Sequence, residues 1–237
     1  MEGRVFYEEA EILLRQEFRE PRNYMLILRA ISEGKRKMGE IANETGLDKS
    51  AVSRYIEILQ NLDLIGYELP ITESNRSKKR LYYIKNNYFK FWFRFVYPNK
   101  SKIEEGLVDM ILDNIKKNFS QYFFGIFEII CRKVVVKFFP FTKLGKWWYK
   151  DKEIDIVALN ENTKEILFAE CKWQDNINAK KIWKELANKS EYVNWHNDER
   201  KEYFAIFAKS FKEKIDEFEG RKVYCFDLKD LERIIRR

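Results

Sequence analysis

Histidine is nearly absent from this 237-residue sequence, which holds one, His196, and cysteine is sparse, with Cys131, Cys171 and Cys225 far apart. An odd number of scattered cysteines suits neither a disulfide framework nor a zinc knuckle. A single histidine leaves no basis for a Cys/His zinc site or for a histidine-activated serine or cysteine nucleophile. His196 itself, between Trp195 and Asn197, reads as a loop residue. No G-x-x-x-x-G-K-[ST] run is present, so no phosphate-cradling loop and no nucleotide site is read. Long apolar runs are missing too. The most apolar stretch, Tyr122 to Phe141, is interrupted by Glu128, Arg132, Lys133 and Lys137 and cannot span a bilayer. The acidic start MEGRVFYEEAEILL lacks a basic leader ahead of an apolar core, so no secretion signal is read and the expected compartment is the cytoplasm.

Acid is missing from one long window. From Ser74 to Lys100 there is no Asp or Glu, while Arg76, Lys78, Lys79, Arg80, Lys85, Lys90, Arg94 and Lys100 supply eight positive charges against a net +7 for the whole chain. The remainder is therefore close to neutral, and the concentrated basic charge points to a polyanionic partner. With 45% hydrophobic residues, a chain of this length supports one large core or two small ones, and two domains are expected. Charged residues at 35%, dominated by Lys and Glu, suit a hot environment.

Residues 21–88 read as a winged helix-turn-helix. A helix over Tyr24 to Ser32 lines up Met25, Leu28 and Ile31 and ends at Gly34. In MGEIANETGLDKSAVSRYIEILQNLDLIG, Ala42 stands four residues before Gly46 and Val52 six after it. A small residue where two helices cross, a glycine able to take the left-handed turn and an apolar plug define this spacing. Asp48 is the expected N-cap of a recognition helix from Lys49 to Leu62, with Val52, Ile56 and Leu59 inward. Lys49, Ser50, Ser53 and Arg54 then face outward, where they can reach base edges or phosphates in a major groove. LDLIGYELPI and RLYYI alternate as two strands around a basic tip, a wing carrying Arg76, Lys78, Lys79 and Arg80 toward a phosphate backbone. The competing reading is a protein-interaction module with a solvated basic loop.

Residues 89–117 begin with Phe89, Phe91, Trp92, Phe93 and Phe95 between Lys90 and Arg94. Such rings can stack on bases, but a buried seam joining two domains explains them at less cost. Pro98 and Asn99 break the pattern before a connecting helix from Ile103 to Lys117.

Residues 118–237 form the second expected domain. A helix from Phe119 to Phe139 sets Glu128 on the same face as Phe124, Cys131 and Val135. A carboxylate among apolar neighbours points either to a site or to a partner such as Arg132, four residues on. Glu153 to Leu159 and Ile166 to Trp173 read as a hairpin about Asn160 to Lys164. Alternation puts Glu153 and Asp155 on one face, and likewise Glu170 and Lys172. Two carboxylates converging near Lys172, with Glu128 on a neighbouring helix, suit a hard cation, Mg2+ or Mn2+. Further on, a helix from Asn176 to Tyr192 carries Ile177, Ile182, Leu186 and Lys189, strands follow at Tyr203 to Ala208 and Lys222 to Phe226, and a helix at Leu228 to Arg236 ends the domain. Lys180 and Lys181 read as solvated surface. The series fits a central mixed sheet covered on both sides.

Asp155, then a turn and Glu170-Cys171-Lys172, with a helical Glu128 before them, resembles the PD-(D/E)xK nuclease superfamily. The resemblance implies a restriction-endonuclease-like α/β/α domain in which Asp155, Glu170, Glu128 and the Cys171 backbone carbonyl bind metal and Lys172 is catalytic. Ile154 stands where that superfamily sometimes has proline. Across nearly the whole chain, EIANETGLDKSAVSRYIEIL, FRFVYPN, the Trp147–Trp148 pair, EIDIVAL and ECKW look like the C-terminal half of an archaeal P-loop ATPase family. On that resemblance residues 1–20 are a remnant of the missing half, and an ATPase domain or subunit is a candidate partner beside DNA, with a homodimer also compatible. The implied function is a metal-dependent DNA endonuclease. The alternatives are a non-cleaving DNA- or partner-binding module and a winged-helix transcriptional regulator.

Overall fold

The computed structural model describes residues 2–236, with side chains from Tyr7 onward. Two compact units emerge, the first comprising the chain up to Glu68 together with Ser77–Lys117, the second Leu69–Arg76 together with the chain from Asn118.

The first unit runs α1 (Glu2–Glu17), α2 (Arg22–Ser32), α3 (Met38–Thr45), α4 (Lys49–Asn61), β1 (Ile65–Glu68), β2 (Leu81–Ile84), α5 (Asn87–Phe91) and α6 (Lys100–Glu104), with two short helical turns between the last two. Met25, Leu28 and Ile31 of α2 close on Ile41, Ala42, Val52, Ile56 and Leu59 in one core. Gly46 ends α3 at φ 70°, the left-handed conformation that only glycine adopts without strain. In the N-terminal segment, α1 sends Ala10 and Leu14 into the same core. Phe89, Trp92 and Phe93 also lie inside this core, and the Trp92 indole donates to the Tyr7 carbonyl at 2.8 Å. Phe89, Trp92 and Phe93, three rings of the run read as an inter-domain seam, thus belong to the core of the first unit. A wide π-type turn runs over Trp92–Val96, and the adjacent Trp92 and Phe93 are both buried there.

The connecting helix and the helix bearing Glu128 are one element, α7 (Val108–Phe138), 31 residues long. The break falls earlier, at Gly106, whose φ is 78°.

In the second unit, α7 is followed by β3 (Lys143–Tyr149), β4 (Lys152–Asn160), β5 (Glu165–Lys172), β6 (Ile177–Asn178), α8 (Ala179–Ser190), β7 (Lys201–Ala208), β8 (Phe211–Glu213), β9 (Glu217–Phe218), β10 (Arg221–Phe226) and α9 (Leu228–Ile235). A six-stranded sheet has the order β3-β4-β5-β7-β10-β9. The β5–β7 and β7–β10 pairs are parallel and the others antiparallel, so the sheet is mixed. Its central strands are near-continuous apolar runs because both faces are covered. One face packs Val157, Phe168, Phe204 and Ile206 on Trp183 and Leu186 of α8. The other packs Ile156, Leu167, Ala169 and Phe207 on Phe127, Cys131 and Val134 of α7 and on Leu231 and Ile234 of α9. Strand β3 escapes a reading by alternation because Lys143, Gly145 and Lys146 break its apolar pattern.

Candidate functional site

On the first unit, Lys49, Ser50, Ser53 and Arg54 are all exposed along one side of α4. Asp48 caps the helix, its carboxylate accepting from the Ser50 and Ala51 amides at 3.0 and 2.9 Å and from the Ser50 hydroxyl at 2.5 Å. These bonds, that of Ser50 first, hold the Asp48 carboxyl below its usual range. Ser50 therefore serves the cap as well as the outer face. In the wing segment Arg76, Lys78 and Lys79 are exposed, whereas Arg80 is half-buried with its guanidinium 4.5 Å over the Tyr67 ring. The four basic residues are thus not equivalent, Arg80 being tied to the strand beneath it.

In the second unit, β4 and β5 pair from Asn160↔Glu165 to Ile156↔Ala169 and then part. Asp155 and Glu170 come next, opposite one another at the opening, both buried. Asp155 turns its Oδ2 to the Cys171 amide, which donates at 2.8 Å. In an extended strand the amide and carbonyl of one residue project to the same edge, so the Cys171 carbonyl faces the β4 side as well. A bulge in the β3–β4 pairing accompanies this opening: Gly145 opposes Val157 and Trp147 opposes Ile154, leaving Lys146 alone against Asp155 and Ile156. Ile154 and Val157 consequently share a core three residues apart, and strict alternation fails at Asp155 itself.

Every acid near this opening has a basic neighbour or a backbone donor. Glu170 accepts from Lys172 at 2.8 Å and takes Lys189 of α8 on both oxygens, at 3.0 and 3.1 Å. Glu128 of α7 takes Lys146 at 2.7 Å, and Glu153 takes the same ammonium at 3.2 Å. The partner of Glu128 is therefore Lys146 from the neighbouring strand, where sequence spacing offered Arg132. Glu170 and Lys172 meet as their shared strand face requires. Glu128 does not join Asp155 and Glu170 in a preformed cage: among the described residues no group of three or more Asp, Glu, His or Cys side chains is close enough to hold a metal ion.

Electrostatics mark Asp155 out. Burial first, then the charges of Glu170 and Glu128, push its carboxyl up to about 7, against the opposing pull of Lys146 and the Cys171 amide. Burial works to lower the Lys172 ammonium, but Glu170 and Asp155 outweigh it and hold it above its ordinary value. Lys146 behaves alike, with Glu128, Glu153 and Asp155 overriding burial. Both lysines are cations at neutral pH and have no free pair to act as bases. Two buried oxygen-donor carboxylates that repel each other, beside a backbone carbonyl, fit one hard divalent cation, because such an ion relieves the repulsion.

Sequence reading missed Lys146, and named Lys189 on its helix without a role. The available signal was a lysine at the centre of the LGKWW run, where an apolar strand residue is expected.

Residues 25–67 match a family described as bacterial regulatory protein, arsR family, and the chain carries an arsR-type helix-turn-helix domain there. Residues 92–182, which contain Glu128, Lys146, Asp155, Glu170 and Lys172, match a family described as archaea bacterial proteins of unknown function. The chain is 39% identical over 231 residues to uncharacterized protein MJECL04 of Methanocaldococcus jannaschii, an alignment that takes in 94% of this chain and 51% of that protein. It thus spans about half the length of the curated relative it matches. No solved structure matches the chain. Among the described residues no helix is long and apolar enough to cross a membrane.

Proposed function

We propose that this chain binds DNA through its helix-turn-helix unit and hydrolyses phosphodiesters in its second unit with one bound divalent cation, as an endonuclease of the PD-(D/E)xK kind. The observation that carries the reading is the opposition of Asp155 and Glu170 at the parting of β4 and β5 with the Lys172 ammonium 2.8 Å from Glu170. A structural ion pair needs one acid for one lysine, whereas here a second buried acid is pushed toward neutrality by its burial and then by the charge of the first. In this reading Asp155, Glu170 and the Cys171 carbonyl hold Mg2+ or Mn2+. The cation supplies Lewis-acid polarisation of a phosphoryl oxygen and makes water more acidic. Lys172, always charged, lies where it opposes the negative charge that grows on the phosphoryl oxygens as the water oxygen bonds to phosphorus and the bond to the sugar oxygen breaks. Lys49, Ser53, Arg54, Arg76, Lys78 and Lys79 supply contacts to DNA, mostly to phosphate, and Ser50 joins them from the cap.

A second reading, a regulator whose sheet domain recognises DNA or a partner ATPase without cutting, draws on the lysines that already satisfy Glu128 and Glu170. Incubation of the full chain with linear, branched and single-stranded DNA and Mg2+ or Mn2+ decides between them. Cleavage lost in Glu170→Gln supports the enzyme. Intact DNA in all arms, with binding retained, leaves the regulator.

A further inference from the structure

The acid–lysine signature needs one lysine, and the structure holds three ammoniums around it, of which Lys146 is the most deeply buried, its side chain 6% exposed. It is fixed from both ends. Its Nζ lies 2.7 Å from Glu128 and 3.2 Å from Glu153, and its carbonyl accepts from the Ile71 amide at 2.8 Å. An apolar residue would fill this strand position without stranding a charge, and burying an ammonium is costly unless its charge is used.

We propose that Lys146 is a built-in cation of the centre, standing beside Glu128 where a second divalent ion would otherwise sit, so that the site takes a single divalent ion on Asp155 and Glu170. This rests on the nuclease reading and changes what Glu128 does within it: Glu128 positions Lys146 and is not a metal ligand. Charge supports it. The buried acids Glu128, Asp155 and Glu170 carry three negative charges when ionised, and Lys146, Lys172 and Lys189 three positive ones. Glu153 and Glu185 are exposed and screened by water. One divalent ion together with one phosphodiester anion leaves one positive charge. A second divalent ion would leave three in a largely buried site, which its low dielectric penalises. Lys146 acts through the acids it neutralises and is a positioning residue.

Calorimetric titration of Mn2+ into the full chain tests this independently of cleavage. One bound ion is expected for the wild type, and two for Lys146→Met, where Glu128 is freed to serve as a ligand. Because Lys146→Met leaves a buried carboxylate and can fail to fold, Glu128→Gln is the companion variant. It should still bind one Mn2+ with affinity changed by less than about 10-fold, since loss of even an outer-shell partner of a metal ligand costs about 10–100-fold. Two ions in the wild type, one ion in a folded Lys146→Met, or loss of the ion in Glu128→Gln overturns the role of Lys146 and leaves the nuclease reading standing. A single ion with no cleavage of any DNA overturns the nuclease reading and leaves the stoichiometric role of Lys146 in place. Absence of bound Mn2+ at millimolar concentration overturns both.

Discussion

Asp155 and Glu170 stand opposite each other one step beyond the last paired residues of β4 and β5, and the amide that would continue the ladder, that of Cys171, is given to the Asp155 carboxylate at 2.8 Å. The parting of two strands thus creates the pair, and the pair's chemistry yields the first expectation. The Asp155 carboxyl is raised in the folded chain to about 7. Its contribution to stability is fully present below the unfolded-state carboxyl value and is lost as pH rises through about 7. Asp155→Asn is neutral at every pH and keeps an acceptor for the Cys171 amide. It should melt higher than the wild type at pH 8, by roughly 5 °C, the shift that about 1 kcal/mol produces in a domain of this size. The difference should shrink toward pH 5. Calorimetric melts at the two pH values check this, and a lower melting point for Asp155→Asn at pH 8 contradicts it.

Mn2+ should reverse that order. An ion bound only by the folded chain stabilises it in proportion to occupancy, about 2.7 kcal/mol at 100 times the dissociation constant. Above pH 7, where Asp155 has lost its proton, added Mn2+ should raise the wild-type melting temperature and leave that of Asp155→Asn unmoved. Equal shifts in both proteins place the ion elsewhere.

Lys172→Met separates the transition state from the metal. The lysine's proposed work is charge stabilisation, and removal of a single such group typically lowers the rate by about 100- to 1000-fold. Single-turnover cleavage should fall by that order while Mn2+ affinity stays within the same range. A rate left unchanged would assign Lys172 a purely structural pairing with Glu170.

Lys189 holds both oxygens of Glu170 and competes with any ion for them. Lys189→Met should therefore tighten Mn2+ binding, by no more than about fivefold because a partly exposed pair contributes up to about 1 kcal/mol. Weaker binding in this variant would show instead that Lys189 orients Glu170 for the ion.

On DNA, engagement of about six phosphates corresponds to a logarithmic salt slope of roughly −5. Lys78→Ala with Lys79→Ala should flatten it by about 2, since each phosphate contact contributes about 0.9. Arg80→Ala should differ in kind, lowering the melting temperature as well, because Arg80 lies over Tyr67. Titrations at several salt concentrations, with parallel melts, distinguish the two.

What the sequence alone determined is what local geometry controls. Residue spacing around Ala42, Gly46 and Val52 sets the helix-turn-helix, Asp48 its cap, and the Glu170–Lys172 spacing puts both side chains on one strand face, because helical and extended periods are properties of neighbouring residues. Tertiary structure decided the rest. That Trp92 and Phe93 enter the first unit's core follows from packing of their turn on α1 and α2, which no sequence mark announces. That Asp155 leaves the alternation follows from a bulge against β3. Glu128 meets Lys146, 18 residues away, and Glu170 meets Lys189, 19 residues away, only because α7 and α8 pack near the same sheet opening. Which lysine answers which acid depends on distances across strands and helices, and no period along the chain encodes them.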